Sequence, residues 1–352
     1  MSDVPGLERG SKVVITGASG FIGSAVARAV AATGARVVAV LEPGADDRGL
    51  RGVGAERVVA DIRDAAAVRA ACRDARFVFH LAAIYRFWAR DPQVLYDVNV
   101  GGTVNVLAAA RAAGCERVVV TSTAGVLGLR RTGRGEPADE GSWLGASDLS
   151  GHYKRSKFAA EHEVLRAAAG GQDLCLVLPT FPLGPGDWRP TPTGKLVLDF
   201  LSGKMPAFVA TAMNVTHVDD LAHGHIAALE RGTSGRSYLL GGENLSMQAI
   251  LAELAACTGL PRPRRQVPLG LTLAAGVASE LLEGRLLRRE PHVPLEAARM
   301  AASKMTFSDH RARTEIGYTS RPARLAIEES ARWFTDHGYV PARRQAAIRW
   351  TG

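Results

Sequence analysis

Tyr153 and Lys157 stand four residues apart in Tyr153-Lys-Arg-Ser-Lys157, and the chain continues Phe-Ala-Ala-Glu-His-Glu-Val-Leu165, a pattern that reads as a helix. Residues i and i+4 share one helix face, so the phenol and the ammonium are neighbours. A phenol ionises near pH 10, and using its anion near neutrality takes a stabilisation of about 4 kcal/mol. An adjacent ammonium can contribute to that, and a phenol so tuned can give a proton to an oxygen or take one from it. A lone pair of this kind also occurs as a solvated pair in ordinary helices. Its position is what raises it here: it follows an apolar run ending in Thr121-Ser122-Thr123, whose hydroxyls could bind a substrate oxygen.

A second group of residues supplies the partner chemistry. Lys12-Val-Val-Ile-Thr16 reads as a strand running directly into Gly17-Ala-Ser19-Gly20-Phe21-Ile22-Gly23, which opens a helix. In that arrangement Gly17 permits a tight turn, Gly20 lets backbone approach a pyrophosphate, and Gly23 lets the helix pack on the strand. The helix N-terminus then offers unpaired N–H groups and partial positive charge to the phosphates. Glycines alone are weak evidence; a strand before, a helix after and an acid about 20 positions on make the combination specific. The acid is Glu42, whose carboxylate can accept both adenosine ribose hydroxyls and repels a 2′-phosphate, so NAD is preferred; Arg48 and Arg51 are near enough in sequence to serve a phosphate, so NADP stays open. A bound nicotinamide, positively charged when oxidised, would join Lys157 in acidifying the phenol, and Lys157 could also hold its ribose. Asp61 reads either as an adenine contact or as an N-cap for the next helix.

The elements that must position these groups are legible as short β-branched runs alternating with alanine-rich helical stretches. Strands are expected at 12–16, 36–41, 56–60, 76–80, 116–121 and 173–178, and a helix over 21–33 that stops at Gly34. Continuous apolar strands separated by helices indicate an α/β, doubly wound parallel sheet of the Rossmann type. After Leu178 the rhythm breaks into proline-rich sequence. We expect a loose tail over 1–10, a dinucleotide-binding domain over 11–180 to which 214–242 returns, and a smaller, mainly helical substrate lobe made of 181–213 and 243–345.

The bulk properties bound the remaining possibilities. At 352 residues with 47% hydrophobic and 22% charged residues, the chain can bury a sizeable core. The start lacks a secretory pattern and Cys72, Cys115, Cys175 and Cys257 have no pairing or CxxC spacing, which points to a reduced, cytoplasmic enzyme without a zinc site. The net charge of +8 is spread in arginines not interleaved with aromatics, so nucleic acid is not expected as a partner. No run reaches the roughly 18 apolar residues of a membrane span. Leu269 to Leu282 comes nearest; it is expected as a buried helix of the lobe, with a membrane-surface helix as the alternative and membrane contact peripheral at most.

These residues resemble the extended short-chain dehydrogenase/reductase family, the NAD-dependent epimerase/dehydratases, over nearly the whole chain. The marks are Thr16 to Gly23, Asp61-Ile62, Phe79-His-Leu-Ala-Ala83, Asp97-Val-Asn-Val100, Thr121-Ser-Thr123, Tyr153 to Lys157 and Thr216-His-Val-Asp-Asp-Leu221. Gly151 to Phe158, Gly184-Pro-Gly-Asp187, Pro190 to Gly194, Gly203-Lys-Met-Pro206 and Leu240-Gly-Gly-Glu-Asn244 are similar to hopanoid-associated sugar epimerases, which in turn resemble dihydroflavonol 4-reductases. The resemblance implies that Thr123 binds the reacting oxygen and Asn99 braces the active-site helix. It also implies that Leu81, Ala82, Ala83, Thr121, Ser122 and Pro179 stand beside the cofactor, and that the enzyme is a homodimer through the helices carrying Asn99 and Tyr153. Two positions depart from the pattern: Glu42 replaces the arginine of NADP-preferring relatives, and Phe181 replaces the asparagine that holds a nucleotide-sugar's pyrophosphate.

The sequence therefore points to a hydride-transferring oxidoreductase that interconverts a secondary alcohol and a ketone on a mainly apolar small molecule, lipid- or isoprenoid-like. A sugar epimerase or dehydratase that retains its NAD is the alternative, and a catalytically silent cofactor sensor a more distant one. Tyr85, Phe87 and Trp88, followed later by Thr180 and Phe181, are candidates for the substrate wall; the three aromatics read equally as core. His217, His223 and His225 with Asp219 and Asp220 could be drawn as a metal cluster, but the spacing is not that of zinc ligands, and no metal is expected.

Overall fold

The computed structural model describes residues 6–127, 137–142, 149, 151–301 and 304–351. The first half runs β1 (Lys12–Thr16), α1 (Phe21–Ala32), β2 (Arg36–Leu41), β3 (Ala55–Val59), α2 (Ala65–Ala71), β4 (Phe77–His80), α3 (Gln93–Tyr96) continuing through a π-helical turn at Asp97–Gly102 into α4 (Thr103–Ala112), then β5 (Arg117–Thr121), α5 (His152–Ala169) and β6 (Leu174–Pro179). The second half runs β7 (Phe181–Leu183), α6 (Pro192–Leu201), β8 (Ala207–Val209), β9 (Ala212–His217), α7 (Val218–Arg231), β10 (Ser237–Leu240), β11 (Glu243–Ser246), α8 (Met247–Thr258) and β12 (Arg265–Val267). It ends with α9 (Leu269–Ser279), a π-helical segment Glu280–Leu286, α10 (Leu295–Ala301), α11 (His310–Ile316), α12 (Ala323–Asp336) and α13 (Ala342–Gln345).

Seven strands form one sheet in the order β10-β6-β5-β4-β1-β2-β3, every pair parallel. The strand sequences explain why both faces are covered. Val13 and Ile15 of β1 with Val37 and Ala39 of β2 enter the core on one side, while Val14 and Val38 enter the core on the other. Successive side chains point to opposite faces, so an unbroken apolar run requires helices on both. α1 packs with α7 on one side, and α2, α4 and α5 form the other layer. Strand order reverses between β1 and β4, and in an open parallel sheet ligands bind beyond the carboxyl ends at that reversal. The glycine turn and Leu81 to Ala83 both lie there.

Several expected boundaries shift. Residues 7–10 are not loose: Leu7 packs on the core and the Gly10 amide donates to the Gly34 carbonyl at 3.0 Å. The chain returns to the large sheet at Val218 rather than at 214, because β9 belongs to a separate sheet, parallel to β7 and antiparallel to β11. The lobe has its own core around Val197, Phe200, Ile250, Leu254 and Phe334, and it extends past 345 to the buried Ile348. α11 packs instead on α7 and β10 of the large sheet. The largest difference is at 269–282, expected as a buried helix: only Gly276 of α9 is buried. Among the described residues no helix is long and apolar enough to cross a membrane.

Candidate active site

Gly17 begins the turn after β1 with φ +70°, and a Cβ there would lie 2.6 Å from the backbone nitrogen of Ala82. A Cβ on Gly23 would overlap the carbonyl oxygen of Gly17. Both positions are thus restricted to glycine by backbone contact, as a turn tight enough to seat α1 against β1 demands. α1 starts at Phe21 after Gly20, with no side-chain cap and no acid in its first turn. Its first N–H groups and positive end are left for an anion. This cradle fits a dinucleotide pyrophosphate.

Around it, Glu42 follows β2 and its carboxylate meets Arg189 at 3.2 Å, both side chains being exposed. Arg48 is engaged by Asp46 at 2.6 Å and lies over the Trp188 ring, 4.8 Å from its centre. Asp61 does not cap α2: it pairs with Arg63 at 2.6 Å, and Asp64 is the cap, accepting from the amides of Ala66 and Ala67. Ile62 is buried against Gly102, and its carbonyl accepts from the Asn105 side chain at 3.0 Å. Leu81 and Ala82 follow β4 and bond through their amides to the Thr16 carbonyl and hydroxyl, at 3.1 and 3.3 Å.

α5 carries Tyr153, Ser156, Lys157 and Glu161 on its buried face. The Tyr153 ring packs against Tyr85 and Phe87, with ring centres 5.0 and 6.0 Å away. Burial raises the phenol well above its ordinary pKa, and the neighbouring Tyr85 adds to this while hydrogen bonding with Thr123 opposes it. The expected acidification by Lys157 is therefore not the arrangement found. The Lys157 ammonium donates instead to the Thr121 carbonyl at 2.8 Å, and burial, opposed by the charge of Glu161, brings its pKa down to about 8. Glu161 is itself raised to about 7 by burial. Ser122 Oγ and both Glu161 oxygens are buried without a well-formed hydrogen bond among the described residues. Thr123 caps the short turn Ala124–Val126, its hydroxyl accepting from the Gly125 amide at 3.1 Å.

Asn99, in the π-helical turn, ties these parts together. Its amide donates to Ser156 Oγ at 2.9 Å, and its carbonyl oxygen accepts from the Ile84 amide at 2.8 Å. π-turns inside helices recur at functional sites, and this one points Asn99 at the helix carrying Tyr153. His80, given no role by the sequence reasoning, joins the Thr16 hydroxyl at 2.7 Å to that of Thr103 at 2.9 Å, and Thr103 donates to the Asn99 carbonyl at 2.6 Å. Burial lowers His80 to about 3, so it stays neutral and links the glycine turn to the Asn99 turn.

Tyr153 and Thr123 line a cavity of about 180 Å³ whose other walls include Phe87, Phe181, Leu196, Met213, Met300 and Met305. Tyr85 and Thr180 line it as well; Trp88 does not, and its indole nitrogen instead faces Gly284. The Thr180 hydroxyl bonds that of Thr216 at 2.7 Å. Two of the histidines considered for a metal are otherwise engaged: His217 caps α7 and meets Glu329 at 3.0 Å, and His225 bonds Thr121 at 2.9 Å.

One carboxylate of this site left no sequence signal. Glu296 of α10, buried in the lobe, reaches the start of α5, where a Cβ on Gly151 would overlap its carboxylate. Burial raises it to about 7, against the pull of Lys154 and of the Lys154 and Tyr153 amides. A carboxyl raised from 4.5 to about 7 contributes stability fully below about 4.5 and loses it as pH climbs through 7. Glu296→Gln is therefore expected to gain roughly 1 kcal/mol on wild type between pH 6 and 8. Thermal melts at the two pH values check this; a constant difference would mean that Glu296 does not titrate there.

The profile of the family described as "NAD dependent epimerase/dehydratase family" matches residues 13–241. A Synechocystis sp. protein provisionally named a dihydroflavonol 4-reductase is 40% identical, over 93% of this chain and 95% of its own. "Sterol demethylase protein B" of Methylococcus capsulatus is 33% identical, over 93% and 99%. The crystal structure of gox2253 superposes with a TM-score of 0.84 at 39% identity, over 94% of this chain and all of the other.

Proposed function

The chain belongs to the NAD dependent epimerase/dehydratase family, as an NAD(P)-dependent oxidoreductase of the extended short-chain type, and from that premise we propose that it reduces a ketone on a mainly apolar small molecule, or oxidises the matching secondary alcohol. The carrying observation is the placement of the Tyr153 phenol and the Thr123 hydroxyl on the wall of a mostly apolar cavity, where Phe87, Phe181, Phe307 and three methionines stand beside Lys154 and Asn214. A mostly apolar wall favours a hydrocarbon body, with Lys154 and Asn214 left for a polar substituent. The names of the two relatives, a reductase and a sterol-modifying protein, run the same way.

Gly17, Ser19, Gly20, Phe21, Ile22 and Gly23 hold the cofactor's pyrophosphate, Glu42 the adenosine ribose, Asp61 and Ile62 the adenine side, and Leu81 to Ala83, Thr121, Ser122 and Pro179 the nicotinamide side. When bound, the nicotinamide exchanges hydride with the carbonyl carbon. Thr123 donates a hydrogen bond to the substrate oxygen, and Tyr153 gives that oxygen its proton in reduction or takes it in oxidation. Burial keeps the phenol protonated, the state that reduction needs. Lys157 positions the cofactor ribose. Glu42 favours NAD, because Arg48, the nearest arginine after β2, is already held by Asp46.

The test is steady-state turnover with NADH and NADPH on a panel of long-chain and polycyclic ketones and on nucleotide-sugars. Stoichiometric NADH oxidation with an apolar ketone, at least about tenfold more efficient than with NADPH, is expected. Conversion of a nucleotide-sugar with no net change in cofactor would establish the epimerase reading instead, which the family's name keeps in view.

A further inference from the structure

Ten large apolar side chains are exposed among the described residues, and seven of them lie between 269 and 287: Leu269, Leu271, Val277, Leu281, Leu282, Leu286 and Leu287. Leu271 and Leu286 are 63% and 74% exposed. Chance exposure scatters apolar residues singly, as with Val59 and Val104 here; a cluster on one segment marks a contact surface. The segment is held to the body by its smallest residue. Gly276 of α9 lies so near α10 that a Cβ would be 3.0 Å from Ala298 Cβ, Gly284 lies against the Trp88 indole, and the apolar side chains named above face outward.

Charge decides what covers it. Arg262, Arg264 and Arg265 precede the leucines, Arg285 interrupts them and Arg288 follows, all exposed and none with a side-chain hydrogen bond or ion pair among the described residues. Of the acids in this stretch, Glu280, Glu283 and Glu290, Glu283 is paired with Arg289 at 2.8 Å and hydrogen-bonded with His292 at 2.6 Å. Between 262 and 290 six arginines stand against three glutamates, which leaves an excess of positive charge on the arginines. Against a bilayer bearing anionic head groups they find phosphates, while the leucines enter the acyl boundary.

We propose that α9 and Glu280–Leu286 form an interfacial foot that docks the enzyme on an anionic lipid surface. α10 separates this foot from the cavity: one side packs on α9 and its Ala297, Met300 and Ala301 line the cavity. An apolar substrate would then pass from the bilayer along α10 to Tyr153. That last step rests on the apolar-substrate reading; the docking does not.

Flotation with phosphatidylcholine vesicles, with and without phosphatidylglycerol, tests it on the intact chain. Binding is expected only with phosphatidylglycerol, and added salt should weaken it. Leu282→Glu with Leu286→Glu, or Arg285→Gln with Arg288→Gln, should each lower the partition coefficient at least about tenfold. These side chains are exposed, so far-UV circular dichroism and NADH affinity should not change. No flotation, or equal binding to both vesicle types, overturns the proposal, as does a lipid-free dimer that the leucine pair alone dissociates. Flotation without turnover of any apolar ketone would leave the foot standing and remove the substrate reading.

Discussion

Tyr153→Phe is expected to lower kcat about 10³-fold in the reductive direction while NADH affinity and melting temperature stay near wild type. The structure makes this substitution unusually clean. The ring is packed between Tyr85 and Phe87 on the buried face of α5, and phenylalanine preserves those contacts. What is lost is one hydroxyl, at hydrogen-bonding reach of Thr123 and on the cavity wall. General acid catalysis by a positioned side chain supplies about 10² to 10⁴ in rate, so the loss should sit in that range and fall on kcat rather than KM. Rapid-mixing measurement of single-turnover NADH oxidation separates the proton step from product release. Unchanged turnover would remove Tyr153 from the mechanism.

The same site shows where reading the sequence succeeds and where it stops. β1, β2, β5 and β6 are continuous runs of Val, Ile and Leu because both sheet faces are buried, and such runs announce themselves. Tyr153 and Lys157 share a face by helical periodicity alone, and Glu161 continues that face, so its burial was legible by the same rule. The direction of the Lys157 ammonium was not: it turns to the Thr121 carbonyl, and which acceptor a flexible side chain selects depends on a strand end 36 residues away. Glu296 lies still further from α5 in sequence, with no periodicity connecting the two. The stretch 269–282 reads as buried yet only Gly276 of α9 is, because hydrophobicity signals burial only on average. Its arginine neighbours at 262–265 and 285–289 were the better clue.

Replacing glycines of the turn separates the shape of the cradle from its use. Gly23→Ala places a methyl group onto the Gly17 carbonyl, and Gly17 cannot move away: its own Cβ position abuts the Ala82 backbone, and its amide donates to Val40 at 3.2 Å. Overpacking against fixed backbone should destabilise by about 1–3 kcal/mol, and by displacing α1 should weaken NADH at least about tenfold. Gly20→Ala differs in kind. Gly20 has φ −71°, open to any residue, and its Cβ would meet only the Gly17 oxygen at 3.2 Å, so the melting temperature should hold. Yet that Cβ would stand on the exposed lip of the α1 N-terminus, where a pyrophosphate has to approach backbone, and NADH affinity should still fall by about tenfold or more. Fluorescence titration with NADH beside thermal melts reads both quantities. If Gly20→Ala binds NADH as wild type does, the N–H groups at the start of α1 do not hold the phosphates, and the cofactor must lie elsewhere along the carboxyl edge of the sheet.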